Sequence, residues 1–229
     1  MRRTLAVIAL LLTLLPLHAR WAAGITGVAT YNTLSGSPQY AYDLRTSGAW
    51  GWNIGLTGQY TFNKWLGIRA DMLYLTKNHK QHRGPIFGDD RGFTERNAYI
   101  QLPVTAEFTF GPENIHGILN LGLSCGWWAS RHRSGKELSL SPTETSELDI
   151  PVHYSQSIPF DSRRDNRLDV SPLIGIGIGW CPTSCWELIA EGRLYYSLTS
   201  VTKKFQGLDI PRHNTTISLG VTVLRRFGL

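Results

Sequence analysis

The feature that most constrains this chain is a period-two alternation in which every charge at a strand centre falls on one face. From Leu119 the sequence places Leu119, Leu121, Leu123, Cys125, Trp127 and Ala129 on one side and Asn120, Gly122, Ser124 and Gly126 on the other. From Leu168, the residues Leu168, Val170, Pro172, Ile174, Ile176, Ile178 and Trp180 oppose Asp169, Ser171, Gly175, Gly177 and Gly179. Successive side chains of a strand point to opposite faces, so each segment predicts a strand with one greasy and one small or polar face. Five further segments, opening at Trp50, Leu66, Ile100, Trp186 and Ile217, fit the same template, with Leu73 an exception on the polar face. A weaker first strand over residues 24–34 brings the expected number to eight.

Seven charges lie within these segments: Arg69, Asp71, Glu107, Asp169, Glu187, Glu191 and Arg193, all opposite the large apolar side chains. An Arg or Lys facing the middle of a bilayer costs roughly 2–4 kcal/mol, so hydrocarbon on the apolar side would enforce this segregation. A water-soluble barrel would show the inverse, apolar inside and charged outside. An eight-stranded barrel has room inside only for side chains. Buried charges persist by pairing, so the seven groups are expected to form a network that plugs the lumen, with Arg226 adding a cation near one mouth. The fold class expected is therefore all-β, an eight-stranded antiparallel transmembrane β-barrel with a polar, side-chain-filled interior.

The connections point the same way. Short turns fall near residues 63–64, 111–116 and 181–185, and long ones at 35–48, 78–95, 132–166 and 199–212. Long loops at one rim and short turns at the other mark an outer-membrane barrel. Phe62, Phe110, Trp180, Trp186 and Phe227 fall at the short-turn ends, and Trp50, Tyr74, Trp127 and Tyr196 towards the long loops, as two interfacial girdles would.

The N-terminus reads as an export signal. Arg2 and Arg3 precede an uncharged apolar stretch over residues 5–17. That is the length of a signal-peptide core and short of the roughly 20 residues a membrane helix needs. Cleavage is expected after Ala19, with alternatives as far as residue 23, leaving a barrel domain over residues 20–229. Lys and Arg total 23 against 17 Asp and Glu, a net charge of +6 that would suit nucleic acid. An exported chain has no nucleic acid to meet, and the expected location is the cell outer membrane, reached through the periplasm.

The segment Asn97-Ala-Tyr-Ile-Gln-Leu-Pro-Val-Thr-Ala-Glu-Phe-Thr-Phe-Gly111, the strand from Leu121 to Trp128, the stretch from Glu187 to Leu198 and the closing Asn214-Thr-Thr-Ile-Ser-Leu-Gly-Val221 resemble the PorT-like family of small outer-membrane β-barrels. The likeness covers most of the chain after the signal. It implies an eight-stranded antiparallel barrel in a Gram-negative outer membrane, and an accessory role linked to type IX secretion for PorT itself. The family brings no catalytic motif. This chain departs from it in a long third loop and in ending Phe227-Gly-Leu229.

Several residues are candidates for chemistry. Cys181 and Cys185 flank a Pro-Thr-Ser turn with shared parity, and an oxidising compartment favours a disulfide between them; a metal site would need more ligands than C-x₃-C supplies. Cys125 belongs to the lipid-facing set as a small filler. His132-Arg-Ser134 and His153-Tyr-Ser155 have a spacing that suggests a lipid A deacylase-like enzyme, with polar-loop histidines as the plain alternative. Glu187 and Glu191 could pair as acid and base, but a narrow lumen gives substrate no access. Asn214-Thr-Thr216 has the form of a glycosylation sequon and lies in a strand. The stretch from Lys77 to Arg96 carries Lys77, His79, Lys80, His82, Arg83, Arg91 and Arg96 against Asp89, Asp90 and Glu95, a basic rim able to meet anionic lipopolysaccharide or an acidic partner. The third loop is acidic at Glu137, Glu144, Glu147 and Asp149 and then basic at Arg163, Arg164 and Arg167. No catalytic residue, cofactor or metal is assigned. The expected partners are outer-membrane lipid, lipopolysaccharide and other envelope or secretion proteins, and the alternatives to an accessory role are a lipid-modifying enzyme and a small surface binding or adhesion barrel.

Overall fold

The computed structural model describes residues 20–36, 44–83, 92–138, 151–204 and 211–227. The expected signal segment, residues 1–19, lies outside them. Ten strand segments follow in order: β1 (Arg20–Gly36), β2 (Leu44–Asn63), β3 (Leu66–Thr76), β4 (His79–Arg83), β5 (Gly92–Phe110), β6 (Ile115–Leu138), β7 (Pro151–Ser157), β8 (Leu168–Thr183), β9 (Trp186–Tyr196) and β10 (Arg212–Phe227). No helix occurs among the described residues.

All pairings are antiparallel, and β1 pairs with β10 from Trp21↔Phe227 to Gly36↔Arg212, which closes the sheet on itself. Ten segments make a ring of eight because β4 takes over the place of β3 between β2 and β5, and β7 lies against β6 beyond the end of β8. Closure leaves the spanning wall without a free edge, which a sheet in hydrocarbon requires because no water is there to satisfy unpaired backbone groups.

The alternation sorts side chains as the sequence implies. On β8, Ser171 and Leu173 point inward and are buried, while Ile174, Ile176, Ile178 and Trp180 point out. Ile176 is 68% exposed and Ser171 0%, the reverse of a water-soluble barrel. Trp127 pairs with Leu168 at one end of the apolar belt and Ile115 with Trp180 at the other. Twelve residues separate these levels on each strand. At about 3.3 Å per residue and a tilt of roughly 40° they rise on the order of 30 Å, close to the hydrocarbon thickness of a bilayer.

The short turns have visible causes. After β2, the Asn63 side-chain oxygen accepts from the backbone N–H of Trp65 and Leu66 at 3.0 and 2.9 Å, an Asx turn that reverses the chain. After β5, Gly111 takes a φ of 107°, where any larger residue would be strained.

Two expectations about the wall need correction. The stretches 78–95 and 132–166 are not simply loops: β4, the start of β5, the end of β6 and β7 continue the sheet beyond the belt. The polar outward residues there mask a strand pattern that lipid no longer enforces. The interior is also not wholly polar. Leu73 and Leu75 pack with Tyr99 and Trp128 at the long-loop end, and Ala22, Ile118, Ile189 and Leu224 cluster at the short-turn end. Leu73, the exception in the sequence pattern, is an inner apolar cap. A register shift between Ala98 and Tyr99 against β6 turns Trp128 inward beside Tyr99, their rings stacked 5.8 Å apart.

Candidate functional site

Between the two apolar caps the lumen holds charge. Arg69 on β3 and Arg193 on β9 stand among Asp71, Glu107 and Glu191, all buried. Arg69 Nε donates to Asp71 Oδ1 at 3.0 Å and its Nη2 reaches Glu191 Oε1 at 2.9 Å. Arg193 Nη1 donates to Asp71 Oδ2 at 2.6 Å, and Arg193 Nη2 lies 2.8 Å from Glu191 Oε1. Glu107 lies 3.9 Å from Arg69 and accepts from Gln59, while Asn120 donates to Glu191 at 3.1 Å. The guanidinium planes and carboxylates thus span the lumen from β3 to β9.

A second group lies nearer the long loops. Lys77 is buried and paired with Asp169, whose other oxygen accepts from Ser171 at 2.8 Å and Ser197 at 2.6 Å. Lys77 also sits 5.0 Å from the centre of the Tyr99 ring. The sequence places Lys77 in a solvated basic rim; the structure corrects this. The chain between β3 and β4 turns both Lys77 and Asn78 inward, with Lys77 N bonded to Asn97 O and Asn78 Nδ2 to Trp50 O. An Asp on the polar face of β8 without a cation at its level was the only sequence signal for this partner.

At the short-turn mouth, Glu187 accepts from His116 Nε2 at 2.8 Å and from Arg226 at 2.8–3.0 Å. Arg226 therefore holds the position expected of it; His116, placed by the sequence in a turn, is an unforeseen member. Glu187 and Glu191 serve separate cations at separate levels and form no acid–base pair. With Lys77 and Arg226, four cations meet the five carboxylates of the strand centres, Asp71, Glu107, Asp169, Glu187 and Glu191.

Above the Lys77 group, the long-loop mouth opens into a cavity of about 90 Å³ lined by His79, Glu95, Asn97, Arg131, Arg133 and Arg212, among others. Arg131 is forked onto Asp165 at 3.0 and 3.2 Å, and Arg133 onto Glu95 at 2.8 Å. His79 is buried against Glu95. Burial lowers its pKa below the usual histidine value, opposed by Glu95 and reinforced by Arg212 and Arg133. Lys80, His82 and Arg96 of the same stretch are exposed on the outside. The side chain of Arg83 and residues 89–91, like Glu144, Glu147, Asp149 and the Glu137 side chain, lie outside the described residues.

The histidine–serine candidates assemble differently from their spacing. His132 meets serines of the neighbouring strand, with Nε2 2.9 Å from Ser155 Oγ and Nδ1 3.4 Å from Ser157 Oγ. A serine occupies each ring nitrogen, and among the described residues no carboxylate bonds to His132 in the orienting role a nucleophilic dyad needs. The expected Cys181–Cys185 disulfide is not formed: both are free thiols, as is Cys125. The register slips between Trp180 and Thr183, leaving Cys181 half-buried at the lumen mouth while Cys185 is exposed beside Ser184. Cys125 is on the lipid face, as its parity implies. Asn214 is buried in the lumen, accepting from Asn32 at 3.2 Å.

A closed antiparallel ring with a greasy exterior, aromatic residues at both edges of the belt and an ion-paired interior defines an integral β-barrel of the cell outer membrane. The chain belongs to the outer membrane protein beta-barrel domain family, whose family model matches residues 13–203. Among solved structures it is similar to Neisserial surface protein A, at 12% identity and a TM-score of 0.47 over 90% of this chain and 99% of that one. It is similar also to OprG from Pseudomonas aeruginosa, at 8% identity and 0.45 over 92% and 96%, and to Ail of Yersinia pestis, at 15% and 0.40 over 90% and 98%. No curated protein matches the chain.

Proposed function

We propose that this protein is a non-enzymatic component of the envelope, a plugged barrel that serves as a rigid mount for binding surfaces at its long-loop end. The observation that carries this reading is the Arg69–Asp71–Arg193–Glu191 cluster, ion-paired and buried across the lumen between β3 and β9, which supports a plug rather than a solute path. The wall then acts as scaffold, and specificity falls to the strands and loops that rise beyond the belt. The exposed Lys80, His82 and Arg96 on those strands support contact with lipopolysaccharide or an acidic envelope partner. Within this reading the PorT-like resemblance supports a role as a secretion accessory. The basic Arg2 and Arg3 ahead of the uncharged apolar stretch over residues 5–17 support residues 1–19 as a cleaved export signal.

The test is chemical cross-linking in native outer membranes followed by recovery in mild detergent, together with conductance in planar bilayers. A defined envelope partner lost on replacing Lys80, His82 and Arg96, with negligible conductance, is the expected result. A steady single-channel conductance would overturn the plugged scaffold.

The His132–Ser155 contact favours a second reading, a lipid-modifying hydrolase on the outer wall. Lipid A mass from strains carrying wild type or His132→Asn decides between them: a mass difference establishes the hydrolase, and identical spectra reject it.

A further inference from the structure

We infer that His116, Cys181 and Glu187 form a binding site for one thiophilic divalent cation, with zinc the fitting ion, at the short-turn mouth of the barrel. His116 Nε2, Cys181 Sγ and a Glu187 carboxylate oxygen all lie within 4.8 Å of one another. They come from three strands, β6, β8 and β9, which the ring brings together at this level. C-x₃-C alone supplies too few ligands; the fold adds an imidazole and a carboxylate to one of its thiols. Nitrogen, sulfur and oxygen donors together suit zinc rather than calcium or magnesium, which take oxygen alone.

The geometry needs small adjustments only. Zinc bonds of about 2.0–2.3 Å in a tetrahedron give ligand-to-ligand edges of roughly 3.3–3.8 Å. His116 and Glu187, now 2.8 Å apart, would open by less than about 1 Å, and the thiol would close by a similar amount. Gly179 makes this possible, because a Cβ there would lie 2.2 Å from His116 Nε2. Arg226 bonds Glu187 Oε2 and leaves Oε1 for the ion, the outer-shell arrangement that orients a carboxylate ligand. On binding, the His116–Glu187 hydrogen bond and the contact of Cys181 with Arg226 break, the imidazole carries its proton on Nδ1, and the thiol proton is released to water. Thiolate and carboxylate then balance the two charges of the ion, and the fourth position takes water from the short-turn mouth.

The experiment uses the mature barrel purified in non-ionic detergent with a non-thiol reductant, freed of metal with a chelator and titrated with zinc by calorimetry. Cobalt serves as the spectroscopic probe. One-to-one binding with a thiolate-to-cobalt absorption band is expected, and it should persist in Cys185→Ser. Cys181→Ser should remove the band, and Arg226→Gln should weaken zinc binding by about 10–100-fold. The heat-dependent gel mobility of a folded barrel shows whether each variant is intact; Cys181→Ala stands in should the serine variant not fold. Absence of one-to-one binding in wild type, equal loss in Cys185→Ser, or a Cys181–Cys185 disulfide in protein taken directly from membranes would overturn the site.

Discussion

Arg193 Nη1 donates to Asp71 Oδ2 at 2.6 Å across the lumen, tying β9 to β3 over a separation of 122 residues. Both side chains are nearly inaccessible, so removing one leaves the other charged and desolvated. Arg193→Ala should lower stability by about 3–5 kcal/mol, the cost of orphaning a buried charge. Combining Arg193→Met with Asp71→Leu should recover much of the loss, because Arg69 and Glu191 still pair with each other. Urea unfolding of the single and double variants in lipid vesicles measures the coupling. Additive losses would show that the contact is not an interaction between these two groups.

Lys77 is the single lysine among the buried pairs of the described residues, and its partner Asp169 keeps only serine donors without it. Lys77→Met should therefore destabilise the barrel by an amount comparable with Arg193→Ala, whereas exposed Lys80→Met should change stability by less than about 0.5 kcal/mol. Equal effects at the two positions would return Lys77 to the solvated rim.

The outer wall makes a depth-dependent prediction. Ile174 lies midway between the belt levels marked by Leu168 and Trp180 on β8, and its side chain points outward. Ile174→Arg should cost about 2–4 kcal/mol and Leu168→Arg about 0–1 kcal/mol. Refolding titrations in bilayers give both values, and a larger penalty at Leu168 would displace the belt from its assigned height.

The belt was legible in the sequence because hydrocarbon and lumen act on alternate residues, and Ile174, Ile176 and Ile178 against Ser171 and Asp169 follow that rule. The seven interior charges followed from the same parity, and all seven are buried. What stayed hidden lies where the rule lapses. Beyond the belt the outer face meets water and the inner face of β4 is polar, with His79 and Gln81 buried, so β4 and β7 carry no apolar stripe. Lys77 and Asn78 are consecutive and both turn inward, which no strict alternation can announce. At the other mouth, His116 belongs to the lumen, but its side chain sits one step from a turn, and only the pairing of β6 with β8 and of β8 with β9 carries it to Cys181 and Glu187. The separation of Cys181 from Cys185 likewise depends on a register slip after Trp180 that composition does not encode.

His79 at the long-loop mouth gives the protein an acid-sensitive end. Burial is the main cause of its lowered pKa, Glu95 opposes it, and Arg212 and Arg133 add to it. Below the ordinary histidine value of 6.5 the unfolded chain binds a proton that the folded barrel resists. The stability contributed by neutral His79 is thus fully present above that pH and is lost as the pH falls through the depressed folded value. The effect should be local, because β4 and β5 pair only from His79↔Glu95 to His82↔Gly92. Hydrogen exchange in those strands should quicken, relative to β3, as the pH is lowered from 7.5 to 5, after correction for intrinsic rates. In His79→Gln the excess should vanish. A wild type with no excess, or a variant that keeps it, would assign the sensitivity to another group.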